Sequence, residues 1–190
     1  ESFSDIIMLL ALIIILVYIV MATQFESLAY PFIIMFTIPF AMSGVFLALW
    51  MTGTPLSLIA LIGAIMLVGI VTKNGIVLVD YTNLLVERGW NINDAVIAGG
   101  KSRLRPVLMT SLTTILGMVP MAMGIGEGSE IWQPMGIAVV GGLLVSTFIT
   151  LFIVPALYSM LEGYKERKAA RKARREAEEE AFIRSQLLKK

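Results

Sequence analysis

Apolar residues fill this chain in long unbroken runs, and polar residues gather in the short breaks between them. Five runs stand out, at about 6–23, 28–50, 56–84, 106–124 and 135–160. A helix of about 20 apolar residues crosses the hydrocarbon core of a bilayer. In lipid, only a helix or a closed barrel satisfies all of its own backbone groups. The runs lack the alternation of barrel strands. They predict an all-α integral membrane fold, a bundle of five transmembrane helices over residues 1–161.

The breaks predict the connections. Thr52-Gly53-Thr54-Pro55 reads as a tight turn, and residues 124–134 as a Gly-rich loop with two solvated acids, Glu127 and Glu130. The connector at 85–105 is longer and amphipathic. Within it, Asn93-Asp94 is placed to cap a short helix, residues 95–98, lying along the membrane surface. Pro31 and Pro106 suit the starts of the second and fourth helices. Pro39 and Pro155 fall inside runs, where neighbouring helices can satisfy the freed carbonyls. Small residues at Ser43-Gly44, Gly63, Gly69, Gly136, Gly141 and Gly142 predict close approach of helices.

Composition narrows the function. Of 190 residues, 57% are apolar, and the mean hydropathy is +0.84, too high for a soluble domain of this length. Cysteine and histidine are absent. That excludes disulfides, thiolate or imidazole metal sites, and catalysis by a histidine base. The 12 methionines read as apolar filler rather than thioether ligands. No nucleophile–base set is visible, so neither enzyme activity nor a cofactor nor a metal site is expected. The chain opens at Glu1, close before an apolar run and without a signal-peptide start, and it reads as part of something larger.

Charge sets the orientation. Arg88, Lys101, Arg103 and Arg105 lie between runs three and four, and ten more basic residues follow Tyr164. The loops at 51–55 and 124–134 carry none. Both basic segments fall on one side of a five-span chain, and by the positive-inside rule that side is the cytoplasm. Residues 162–190 form a charged cytoplasmic tail, basic first and acidic at 176–180. Its composition favours a solvated helix that enforces orientation, attraction to anionic lipid being the functional alternative, with Arg174/Glu178 and Arg175/Glu179 at i,i+4 spacing.

One residue breaks the pattern. Lys73 stands within LIALIGAIMLVGIVTKNGIVLV (58–79), a run with no other charge. An ammonium near the bilayer centre costs roughly 2.5–3.5 kcal/mol on insertion scales. Such a group is tolerated when it has a buried partner, and it marks an ion or proton pathway by default. Thr72 and Asn74 flank it. Asp80 shares its helix face about 10 Å further along the axis, too far to be its sole counter-ion, so a nearer acid is needed from elsewhere. A structural ion pair is the plain alternative. The fourth run has a polar stripe of its own, Arg103, Thr110, Thr114 and Gly117, flanked by Ser111 and Thr113. Hydroxyls so spaced relay hydrogen bonds or line a wet cavity, and equally bond the i−4 carbonyl or join helices.

These motifs carry a resemblance. GIVTKNGIVLVDYTN (69–83) followed by RLRPVLMTSLTTILGMVPM (103–121) resembles the last part of a resistance–nodulation–cell division (RND) transporter of the hydrophobe/amphiphile efflux branch. QFESLAYPFIIMFTIPFAMSG (24–44) and GGLLVSTFITLFIVPALYSML (141–161) fit the same pattern. The resemblance covers residues 1–161. It implies a proton-driven multidrug pump of twelve transmembrane helices, of which this chain supplies helices 8–12. The N-terminal half and a periplasmic porter domain would come first.

It further implies a homotrimer in the bacterial inner membrane, working with a periplasmic adaptor and an outer-membrane channel on amphiphilic small molecules. Neither a cofactor nor nucleic acid is implied. The family's proton relay uses a lysine on helix ten, an arginine at the mouth of helix eleven and a threonine two turns on. Lys73, Arg103 and Thr110 match these, with Asn74, Asp80 and Thr114 as auxiliary candidates. The relay's aspartate pair, on helix four, has no counterpart here. The metal-exporting branch usually lacks the lysine, which points away from metal export. The competing reading is a stand-alone membrane scaffold or split-gene half without transport of its own. Relatives in protein translocation or sterol sensing share the bundle, but the two leading motifs favour efflux.

Overall fold

Each apolar run is helical. The computed structural model describes residues 2–187, and helices account for all their regular structure: α1 (Ser2–Phe25), α2 (Ala29–Met35), α3 (Thr37–Thr52), α4 (Leu58–Glu87), α5 (Ile92–Ala122) and α6 (Ser129–Leu187). Five stretches are long and apolar enough to cross a membrane, with α2 and α3 together making the second. The chain is an all-α, multi-pass membrane protein. α2 and α3 divide at Phe36, whose own backbone stays α-helical. The cause lies three residues on, since Pro39 has no N–H to donate to the Met35 carbonyl. Turns are sharp where glycine permits them. Gly53 (φ 66°) ends α3 with its amide on the Trp50 carbonyl and the Thr54 amide on that of Leu49, a Schellman closure.

Two helices overrun the expected limits. α5 begins at Ile92, so Pro106 lies inside it rather than at its start. Residues 95–98 belong to its first turns and are not a separate surface helix. The residue before the helix is Asn91, extended at φ −61° and ψ 141°, and its carbonyl takes the Ala95 amide at 2.8 Å. Pro106 removes one bond, to the Ser102 carbonyl, and the satisfied turns on either side carry the helix through. α6 likewise continues through Pro155 into the tail. There the recorded ion pair is Lys172–Glu176 at 3.6 Å, rather than the expected Arg174–Glu178. The Glu179 side chain lies outside the described residues. Exposed pairs of long side chains are worth little, which leaves such pairing loosely specified.

α6 is the central element and packs on α3, α4 and α5. Bare backbone makes this possible. A Cβ on Gly44 would lie 2.8 Å from the Gly141 carbonyl oxygen and from Val145 Cβ, and one on Gly142 would meet Leu67 and Val45. Gly69 departs from this expectation, because nothing stands within 4 Å of where its Cβ would be. The core falls into two clusters. One joins Val45, Leu67, Val71, Ile115 and Leu143, near the turns that follow α3 and α5. The other joins Met21, Ile34, Leu78, Val154 and Tyr158, near the end where α6 leaves the bundle (the tail end below). α1 is the peripheral helix. It leans on α2 and α4 alone and leaves Leu9, Leu12, Leu16 and Ile19 exposed.

Candidate functional site

Lys73 is positioned by α4. That helix is started by Ser57, whose hydroxyl accepts the Ala60 amide at 3.2 Å. Close contacts of Gly63 with Met135 and of Gly75 with Ile34 fix its rotation. Thr72 and Asn74 then turn inward and are buried, with the Thr72 hydroxyl on the Val68 carbonyl at 2.7 Å. Lys73 turns outward and is exposed. It lines a groove of about 370 Å³ between α1 and α4, walled by Leu16, Val17, Val20, Gly69 and Ile76. Gly69, one turn earlier, leaves the floor of that groove open.

Within these helices taken alone the amine is not buried. Among the described residues Lys73 forms no ion pair, and burying an unpaired ammonium would be strongly unfavourable. Asp80 is exposed as well, but it opens onto a different cavity. That one, of about 280 Å³, lies at the tail end with Gln24, Glu26, Asn83 and Glu87. The two charges predicted to share a face do not pair.

The polar stripe on α5 divides. The Thr110 hydroxyl is exposed and donates to the Pro106 carbonyl at 2.8 Å, and Thr114 donates to the Thr110 carbonyl at 2.9 Å. Ser111, which flanks the stripe, faces α6 and is buried, its Oγ accepting from Thr147 Oγ1 at 2.9 Å. Ser111 therefore joins helices, while Thr110 faces outward. Arg103 is half-buried. Its guanidinium carbon lies 4.5 Å from the centre of the Tyr81 ring on α4. Its Nε is buried and has no hydrogen-bond partner among the described residues. No hydrogen bond or ion pair joins Lys73, Arg103 and Thr110 directly among the described residues.

Sequence reasoning passed over Tyr81, and also a polar cluster at the tail end. Tyr30 donates to Glu162 Oε1 at 2.8 Å, and Lys165 donates to the same oxygen at 2.6 Å and to the Tyr30 hydroxyl at 3.1 Å. Tyr30 stacks on Tyr158, whose hydroxyl donates to Asn83. Burial opposes the charge on Lys165, but the bonds to Glu162 and Tyr30 outweigh it and hold its pKa above the usual lysine value. These residues are up to 135 positions apart, so no local pattern signals the cluster.

The model of the AcrB/AcrD/AcrF family matches residues 1–162. This chain belongs to that family of RND efflux transporters. Multidrug resistance protein MdtC of Proteus mirabilis (strain HI4320) is 41% identical over 165 residues, 86% of this chain and 16% of MdtC. Cobalt-zinc-cadmium resistance protein CzcA of Cupriavidus metallidurans is 41% identical over 145 residues, 76% of this chain and 14% of CzcA. Among solved structures, the X-ray crystal structure of a heavy metal efflux pump superposes with a TM-score of 0.70 at 35% identity, covering 82% of this chain and 15% of the pump. The chain therefore spans about a sixth or less of the proteins it matches.

Proposed function

We propose that this chain is the C-terminal membrane part of a proton-driven RND efflux pump, helices 8–12 of twelve, carrying the Lys73, Arg103 and Thr110 side of its proton relay. One observation carries the reading. Lys73 stands halfway along a membrane-spanning helix, on its open face, with no ion pair among the described residues. A charge in that position calls for an acid from outside the five helices. In this reading the other half of the transporter supplies a carboxylate pair, which Lys73 holds through charge-assisted hydrogen bonds.

Protonating the carboxylates weakens that hold, and the ammonium moves toward Thr110. The Thr110 hydroxyl has its proton on the Pro106 carbonyl, so its lone pairs are free to accept. Arg103 tunes the mouth of the pathway. The charge switch biases a two-state movement of the helices, which drives the external domains. Asn74, Asp80 and Thr114 are auxiliary. Residues 1–161 form the transmembrane bundle and 162–190 the cytoplasmic tail, in the bacterial inner membrane. The pump works as a homotrimer with an adaptor and an outer-membrane channel.

Amphiphilic molecules are the proposed substrates. The name of MdtC supports this, as does Lys73, which the metal-exporting branch usually lacks. CzcA is equally identical, so metal ions are the competing class. The test uses the complete transporter. Lys73→Ala is expected to abolish proton-coupled export of an amphiphilic dye at normal membrane levels. Normal export by that variant refutes the relay, and export of cobalt or zinc in place of dye refutes the substrate class.

A further inference from the structure

We infer that Tyr81 is the positioning residue for Arg103. The inference rests on the relay reading above and adds to it a part on α4. Arg103 has an unmet need, a buried Nε without a hydrogen-bond partner among the described residues. What meets its guanidinium is the π face of Tyr81, 4.5 Å from the ring centre. A guanidinium over an aromatic face is held by the ring quadrupole, and more firmly when partly desolvated. Both residues are half-buried.

The backbone prepares this contact. Gly99 lies one turn before Arg103 on α5, and Thr82 follows Tyr81 on α4. A Cβ on Gly99 would collide with Thr82 Oγ1, so only a bare glycine lets the two helices approach at this level. The Thr82 hydroxyl is committed to the Leu78 carbonyl at 2.8 Å and is no competing partner for the arginine. Tyr81 also rides on the helix that carries Lys73. A shift of α4 that accompanies release of the Lys73 ammonium moves the ring, and with it the seat of Arg103. The cation–π pair thus links the middle of the pathway to its mouth without a direct bond between Lys73 and Arg103.

The test measures proton flux per membrane-inserted molecule of the complete transporter. Tyr81→Phe keeps the π face and is expected to retain wild-type flux. Tyr81→Leu removes it and is expected to lower flux about three- to ten-fold, the range of a partly desolvated cation–π contact. Arg103→Gln removes the cation that the ring holds, so adding Tyr81→Leu to it is expected to change flux by less than about two-fold. Should Tyr81→Leu reach the membrane poorly, Tyr81→Met takes its place with the same outcomes. Full flux without the ring, or losses that multiply in the double variant, overturn the positioning role while Lys73→Ala stays inactive. Full flux in Lys73→Ala overturns the relay, and this inference with it.

Discussion

Replacing Lys73 by methionine should act with opposite sign in two settings. Lys73 lies 15 residues into α4 (Leu58–Glu87), about 22 Å along a helix of about 45 Å at 1.5 Å per residue. That places the ammonium near the middle of a hydrocarbon core about 30 Å thick. Its groove walls are apolar, and no acid pairs with it among the described residues. With α4 alone as a test segment in a membrane-insertion host, Lys73→Met should improve insertion by about 2.5–3.5 kcal/mol, the penalty of a central lysine on that scale. In the complete transporter the same change should abolish proton-coupled export. Removing one member of a buried pair leaves the other without its partner, a loss of about 3–5 kcal/mol. Glycosylation mapping reads the first outcome and dye efflux the second. Equal insertion of both forms would mean that the amine already reaches the interface, and the reasoning from depth would fail. Unchanged export would remove the partner carboxylates from the account.

Three further outcomes follow from the packing. Gly44→Ala forces a methyl to within 2.8 Å of the Gly141 carbonyl oxygen, so overpacking should destabilise the α3–α6 contact by about 1–3 kcal/mol, read as earlier thermal unfolding in detergent. Tyr158→Phe leaves Asn83 without its donor and should cost about 1 kcal/mol by the same measurement. Lys165 keeps its proton more tightly when folded, because the bonds to Glu162 and Tyr30 outweigh burial. Its contribution should be complete below the unfolded lysine pKa of about 10.4 and fade as pH rises through the higher folded value. A Lys165→Met variant should lose that part of the alkaline slope.

The helices and their number were legible because the bilayer imposes a length and forbids unpaired backbone, and both demands are written in runs of residues. Lys73 was legible for a related reason, as a charge where charge is unfavourable. The helix limits around Pro106 were less so. Proline reads as a boundary by local rule, yet a long helix with satisfied flanking turns absorbs the one bond it loses. The α5 stripe was legible as a face but its role was not, since Thr110 and Ser111 are neighbours in sequence yet about 100° apart around the helix, and only packing against α6 decides which of them is buried. Gly69 was read as packing and instead opens the groove beside Lys73, because α1 stands off there.

By itself, then, the sequence determined the membrane-spanning class, the family and the residues with unusual chemistry, since hydrophobicity and charge are properties each residue carries alone. Which of those residues meet was decided only by the crossing of helices. Tyr81 finds Arg103, and Tyr30 finds Glu162 and Lys165, because bare glycines and a central α6 set how near the helices come and how each is turned about its axis. A rotation of one residue, about 100°, exchanges an inward face for an outward one. Only packing against neighbours fixes that angle.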